Sequence, residues 1–525
     1  MFIEDLGGAL LQAAELNASR PALWAAGARL TYQELFDRAS RISAALVQAG
    51  LSPGDRVAIL SGRSHTAYAA VIGALLAGCT YLPLNIIYPQ GRNQAMLRAS
   101  GARALVVDEQ RAAMLETFLE PLDDDLAVIR PEAGPDAAPI GGARTPLGDG
   151  QGLEYWRSVR RRAGRDQFAY ILFTSGSTGA PKGVPITHAN LDAYLTAAAG
   201  LGPLTPADRI LQMANLTFDL SVHDMFLTWL SGAELYSMPE RTELLAPRMI
   251  AQHQLTGSLI VPSVAARMIE KGLVRPGSMP SLRLGYFCGE PLPMTTVEAW
   301  RAAAPDARII NLYGPTECTV VVCAHEVRPE EAGDLAIAPL GRLFGAQKVE
   351  LFTPGMTFPP SGEYGQICIA GSQVLRHHWE APELDAAKFT DALGERWFKT
   401  GDMARWIEPH GLVFAGRADR QVKIRGYRVE MAEIEAVVRR VSGRPQVAAL
   451  PWPVDGQGVA EGSVAFLGGP PGDAQRIRAG CRAQVAEYMV PDRLIFLPEL
   501  PVNANGKVDY RALAQHPHLA GQAGH

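Results

Sequence analysis

The sequence has little of what would place it in several large classes of protein. Its six cysteines, Cys79, Cys288, Cys318, Cys323, Cys368 and Cys481, are scattered without paired spacing, which argues against a disulfide framework or a zinc ribbon. A reducing, cytoplasmic compartment is the simplest reading. Positive charge is not in surplus: 49 Lys and Arg against 54 Asp and Glu leave −5, the wrong sign for a protein whose main task is gripping nucleic acid. Residues Met1 to Asp5 lack the basic start of a signal peptide. One uncharged run, residues 66–84, is long enough to span a bilayer, but Gly73, Gly78, Thr80 and Pro83 interrupt it. It reads as a buried helix ending at Gly78 followed by a short strand, so no membrane partner is expected.

What is present is ordinary globular chemistry. The 525 residues are 47% hydrophobic and 20% charged, and that length is enough for several domains. Helix-like segments at 31–50 and 64–77 alternate with apolar runs at 57–60 and 104–107, a pattern that predicts a parallel sheet flanked by helices. Residues 131–165 shift to Pro, Gly, Ala and Asp and then to a basic run, Trp156-Arg157-Ser158-Val159-Arg160-Arg161-Arg162, which reads as a surface loop. Alternation resumes from 168 to about 340. Shorter strand-like runs follow at 365–371 and 411–414, the mark of a small β subdomain. A charged stretch at 416–420, then a helix-like 431–441, places the domain boundary there. The expected fold class is therefore α/β: a large N-terminal domain over 1–417, made of parallel-sheet α/β subdomains plus a small β subdomain, and a small, mobile α+β domain over 418–525. The tail after Leu513 is expected to be disordered.

The most informative segment is residues 170–183, where an apolar strand runs into Thr174-Ser175-Gly176-Ser177-Thr178-Gly179-Ala180-Pro181-Lys182. Glycines let successive N–H groups converge on one anion, while the hydroxyls and Lys182 add donors and charge. The run lacks the Gly-Lys-Ser/Thr ending of a Walker A loop and the Gly-x-Ser-x-Gly of a nucleophile elbow. Alone, it could be no more than a glycine-rich turn.

It is not alone. The run resembles the phosphate-binding signature of the adenylate-forming superfamily, which holds acyl-CoA synthetases, peptide-synthetase adenylation domains and luciferases. Further signatures of that family follow in its order: Asn215-Leu216-Thr217-Phe218-Asp219-Leu220-Ser221, Asn311-Leu312-Tyr313-Gly314-Pro315-Thr316-Glu317, Gly362 to Ile367, Phe398-Lys399-Thr400-Gly401-Asp402, Gly416-Arg417-Ala418-Asp419 with Lys423 to Glu430, and Asn503-Ala504-Asn505-Gly506-Lys507.

The resemblance implies an ATP- and Mg²⁺-dependent ligase. Attack of a carboxylate on the α-phosphate builds negative charge that cations and N–H donors must neutralise. Lys507 resembles the family's catalytic lysine, assisted by Thr174 and Lys182, and Glu317 its Mg²⁺ ligand, since a hard cation prefers carboxylate oxygen. Asp402 resembles the acid that accepts both ribose hydroxyls, Arg417 the ribose and phosphate contact, and Tyr313 the adenine-stacking ring. Gly289, Glu290, Asn311, Gly314, Thr316 and Phe414 complete the nucleotide set with residues 174–179. Asp419 falls at the family hinge, where a backbone change would exchange the lysine loop for the Gly426 region.

Asp219 decides the acid. The family's amino-acid-activating branch carries aspartate there to pair with the substrate ammonium, and a neutral acid would leave it unpaired. The alternative is a helix cap. The remaining pocket positions are Leu220, His223, Ile260, Tyr286, Cys288, Leu312, Val320 and Val321, an apolar lining except for His223 and Tyr286. A charged side chain would find no partner there, and Tyr286 leaves little room. The runs at 218–224 and 287–290 are similar to those of D-alanine–carrier protein ligases, so alanine, in either hand, is the first choice and proline the second, with glycine and serine as close competitors; the alternative is an acyl- or aryl-CoA synthetase, which Asp219 disfavours. No carrier domain follows Lys507, which implies a separate acyl or peptidyl carrier protein as thiol acceptor. The arginines of 156–165, or Arg425 and Arg428, are candidates to dock it. His377 and His378 are read as surface residues.

Overall fold

The computed structural model describes residues 3–110, 115–120, 126–132, 148–175, 181–331, 335–454, 460–502 and 508–519. The chain divides into two compact units. The larger comprises Met1–Ile86, Met96–Phe173 and Gly183–Gly416, and the smaller comprises Ile87–Ala95, Thr174–Lys182 and Arg417–His525.

Local sequence rules build the first layer of the larger unit. Helix Tyr32–Gln48 starts at a capping box, with the Thr31 hydroxyl receiving the Glu34 N–H and the Glu34 carboxylate receiving the Thr31 N–H. Its buried stripe of Leu35, Phe36, Ala39, Ile42 and Leu46 has helical period. Helix His65–Leu76 is capped by Ser64 and buried on nearly every side, which is why its sequence lacks a polar face. It ends before Gly78, at φ +71°, and the chain enters strand Thr80–Leu84. Among the described residues no helix is long and apolar enough to cross a membrane.

Two α/β sheets follow. Six strands are ordered Ala127–Ile129, Ala104–Val107, Arg56–Leu60, Thr80–Leu84, Phe168–Thr174, Lys182–Thr187. A nine-stranded sheet has the parallel run Arg308–Tyr313, Leu284–Cys288, Gly257–Ile260, Arg209–Gln212, Glu234–Ser237 and Pro21–Ala25 at its centre, with antiparallel strands at both margins. A third sheet of five strands, Lys348–Phe352 through Gly411–Arg417, forms the β subdomain. The smaller unit contains the hairpin Gln421–Ile424 with Tyr427–Glu430, a three-stranded sheet of Val447–Pro451, Ser463–Gly468 and Arg493–Leu497, and helices Met431–Ser442 and Ala474–Arg482. The fold is α/β with a smaller β sheet, as the alternation implies.

Two expectations need correction. Within 131–165, residues 133–147 lie outside the described set, but Leu153–Val159 is a helix whose Trp156 is fully buried, its indole N–H donating to Asp37 Oδ1 at 2.7 Å. A tryptophan among arginines was the signal of an anchored segment. Near the C-terminus, Leu513 is fully buried and residues up to Leu519 are described, with Leu519 packed against the same core.

Candidate functional site

The candidate acid-pocket residues lie where the central parallel strands of the nine-stranded sheet end, the usual place for a ligand in such sheets. Strands Gly257–Ile260, Leu284–Cys288 and Arg308–Tyr313 run side by side, with Leu259 opposite Tyr286 and Cys288 opposite Leu312. Tyr286, Cys288, Leu312, Val320 and Val321 belong to one buried cluster. Helix Leu220–Leu230 adds Leu220 and His223. Ile260 does not join them. It is in register with Phe287 and packs with it in the other core cluster, because alternate residues of a strand face opposite ways. Leu259, one residue earlier, shares the cluster of Tyr286.

Asp219 is buried at the start of helix Leu220–Leu230, in αR conformation, and its side chain makes no capping hydrogen bond to that helix. Its charge reaches the buried phenols of Tyr81, Tyr170 and Tyr194. Burial first, and then neighbours that include this carboxylate, push all three upward. Tyr194 was not legible as a site residue, yet it is fully buried and bonds His223 Nδ1 through its hydroxyl at 2.5 Å. His223 in turn meets Tyr286 edge-on at 5.1 Å. Burial keeps the Tyr286 phenol protonated, pushed up to about 12. Behind this His223–Tyr286 wall lies a hollow lined also by Asp224, Leu227, Thr228 and Ser258. Both Asp224 oxygens, Thr228 Oγ1 and Ser258 Oγ have no hydrogen-bond partner among the described residues. Burial raises Asp224 well above the ordinary aspartate value.

Burial lowers His223 to about 4 and His188 to about 4. The unfolded chain takes up these two protons near pH 6.5, whereas the folded chain resists until about 4. Stability is therefore full above pH 6.5 and falls as pH drops, by roughly 2 kcal/mol per histidine between 6.5 and 5. Urea unfolding at pH 7 and 5 should show this loss. His188→Gln should remove about half of it.

Val320 and Val321 sit on a strained turn. Thr319 and Val320 have φ of +56° and +69°, which β-branched residues rarely adopt. Buried Gln373 holds the turn: its Nε2 donates to Val321 O at 2.9 Å, and Thr319 Oγ1 donates to Gln373 O at 2.6 Å. Gly314 makes room for it, since a Cβ there would lie 2.4 Å from Val321 Cα. Gln373→Ala should release strain of about 1–3 kcal/mol and loosen this wall. The expected outcome is an adenylation kcat/KM reduced about tenfold at unchanged ATP affinity, read by pyrophosphate exchange and nucleotide titration.

The candidate nucleotide residues are grouped in two places. In the larger unit the Tyr313 hydroxyl donates to Asp402 Oδ2 at 2.8 Å. Burial, and then the Asp402 charge, holds that phenol well above its ordinary value, so it stays a donor. Asn311 Nδ2 donates to Pro339 O at 2.7 Å. Glu290 accepts the Ser263 N–H at 2.8 Å, beside Gly289 at φ +101°. Thr316 and Glu317 form a 3-10 turn with Cys318, and Phe414 packs against the main core. In the smaller unit, Thr174 ends its strand, Ser175 Oγ donates to Arg428 O at 2.7 Å, and Lys182 Nζ lies 3.7 Å from Glu430. Arg417 clamps Asp419 through two nitrogens, at 2.7 and 2.9 Å. Gly176, Ser177, Thr178, Gly179 and Lys507 lie outside the described residues.

His378 corrects the surface reading. It is buried, bonds Asp385 Oδ1 at 2.6 Å through Nδ1, and holds Nε2 3.9 Å from Glu317 Oε1. Its acid partners were illegible because one is sixty-one positions away. As a buried carboxylate, Glu317 offers the hard oxygen ligand that an ion such as Mg²⁺ prefers. The proposed docking arginines are likewise engaged: Arg157 with Glu15, Arg160 with Asp5, and Arg165 with Asp192.

The AMP-binding enzyme family profile matches residues 10–379. A plipastatin synthase polypeptide of Bacillus subtilis is 32% identical over 97% of this chain, which spans 19% of that much longer protein. The L-proline--[L-prolyl-carrier protein] ligase of Streptomyces coelicolor is 32% identical over 95% of this chain and 94% of its own. Among solved structures, the Vibrio cholerae adenylation domain AlmE in complex with glycyl-adenosine-5'-phosphate superposes with a TM-score of 0.90 at 34% identity, covering 99% of both chains.

Proposed function

Since the chain belongs to the AMP-binding enzymes and is an ATP-dependent, AMP-forming ligase, we propose that its acid is a small amino acid, which it adenylates and passes to the thiol of a separate carrier protein. The observation that carries this reading is Asp219, a buried carboxylate at the start of the helix that also supplies Leu220 and His223. A carboxylate placed there is the chemical complement of the α-ammonium of an amino acid. The His223–Tyr286 wall, braced by Tyr194, supports a short side chain. Alanine remains the first choice. Glycine joins it through the likeness to AlmE, and proline is the second reading, favoured by the likeness to the prolyl-carrier protein ligase.

In this mechanism the amino-acid carboxylate attacks the α-phosphorus of ATP and pyrophosphate leaves. The carrier thiol then attacks the acyl carbon and AMP leaves. Tyr313 and Asp402 hold the adenosine end, the loop 174–182 cradles phosphate, and Lys507 neutralises charge at the reacting oxygens. Glu317 would hold Mg²⁺, which when bound neutralises phosphate charge. Residues 1–417 and 418–525 act as the two moving parts, with Asp419 as hinge and Arg417 fixing its side chain.

The test is adenylate formation trapped with hydroxylamine across L- and D-amino acids, aryl acids and short-chain acids. A peak at alanine or glycine is the expected result, and a peak at proline selects the second reading. Turnover only with acids lacking an amino group would overturn the assignment of Asp219.

A further inference from the structure

His325, Glu331 and His410 converge from three elements, and none of them is assigned to the candidate site above. His325 lies on strand Cys323–Glu326, opposite Asn311 of the neighbouring strand. Glu331 closes the 3-10 turn Pro329–Glu331. His410 lies in the turn between strands Glu395–Ile407 and Gly411–Arg417 of the five-stranded sheet. His325 Nε2 is 2.9 Å from Glu331 Oε2, and His410 Nδ1 is 3.5 Å from Glu331 Oε1. The three donor atoms all lie within 4.8 Å of one another.

Two further observations distinguish this cluster from a surface ion pair. The side chains are only 13–15% exposed. The His410 Nδ1 atom is buried and makes no hydrogen bond among the described residues, although buried polar atoms nearly always find a partner. The carboxylate is also fixed from behind, because the Arg328 N–H donates to Glu331 Oε2 at 3.1 Å. Carboxylates that ligate metals are commonly oriented by a hydrogen bond of this kind.

We propose that His325, Glu331 and His410 form a binding site for a borderline divalent transition-metal ion of the zinc type, with water in the fourth position. Two imidazoles and one carboxylate suit zinc, and do not suit a hard ion such as Mg²⁺. Tetrahedral bonds to zinc place ligand atoms about 3.3 Å apart, so side-chain adjustments alone bring these donors into range. The bound ion ties the nine-stranded sheet to the five-stranded one. The Tyr313–Asp402 hydrogen bond joins those same two sheets, so the ion would brace the frame that carries it.

The experiment uses the full chain without an affinity tag, stripped by chelator and titrated calorimetrically with Zn²⁺ in excess Mg²⁺. One ion per chain should bind and raise Tm. His325→Ala and His410→Ala should each weaken binding by at least about tenfold, with the metal-free Tm close to that of the parent. Glu331→Gln, which keeps the side-chain shape, should weaken binding similarly, and serves if an alanine variant does not fold. Cu²⁺ loaded at the site should show two nitrogen ligands by paramagnetic resonance, and one in either histidine variant. Equal Zn²⁺ affinity in the parent and the double variant His325→Ala/His410→Ala would overturn the proposal, as would displacement by Mg²⁺.

Discussion

Replacing Asp219 by asparagine is expected to cut adenylation of the preferred amino acid by roughly 30- to 5000-fold in kcat/KM, the equivalent of about 2–5 kcal/mol for one partner of a buried charge pair. The volume is unchanged, so the pocket keeps its shape and the loss reports on charge. No helix cap is lost, because the side chain makes no capping hydrogen bond to helix Leu220–Leu230, and asparagine keeps the hydrogen-bonding shape, so thermal stability should fall by no more than the roughly 1 kcal/mol that removing an ordinary cap costs. The ratio of the two effects is the measurement. Pyrophosphate exchange gives the first and calorimetric unfolding the second. A variant that loses stability and activity in step would mean a structural aspartate. One that accepts the desamino acid better than the amino acid would confirm that the carboxylate reads the ammonium, since a neutral acid no longer leaves a buried charge unpaired.

How far such a site can be read in advance depends on whether its contacts are local. The helix that starts near residue 31, the buried helix His65–Leu76 and the strand Ala104–Val107 were legible because period and breakers act within a few residues. The candidate nucleotide and acid residues came from motifs, and the structure sets Tyr286, Cys288 and Leu312 on neighbouring strands. Ile260 shows the limit, since a one-residue choice along a strand selects the opposite face. Tyr194, Gln373 and His378 show another. Each acts through partners distant in sequence (His223, the turn at 319–321, Glu317) that no spacing announces. The arginines at 157–165 were legible as charge and misread as a free basic loop, because their acids sit at positions 5, 15 and 192.

Lys507→Ala is expected to lower adenylation by about 10²–10³-fold, the usual effect of removing one donor aimed at developing charge, while ATP affinity changes little. The separation follows from what each group touches in the proposed mechanism. Adenosine is held by Tyr313 and Asp402, which share a hydrogen bond in the larger unit, and these contacts survive the substitution. The charge that builds as carboxylate meets phosphorus has no other assigned cation bridging both reactants. Lysine is a compact point charge on a flexible stem, whereas arginine is a planar fork, so Lys507→Arg should recover little. The decisive arm starts from synthetic aminoacyl-adenylate. If Lys507 serves only the first half-reaction, thiol transfer from that adenylate proceeds at close to the parental rate in the alanine variant, whereas overall turnover from ATP collapses. Equal loss in both arms would assign the lysine to the architecture of the small domain, and unchanged turnover would remove it from the chemistry altogether.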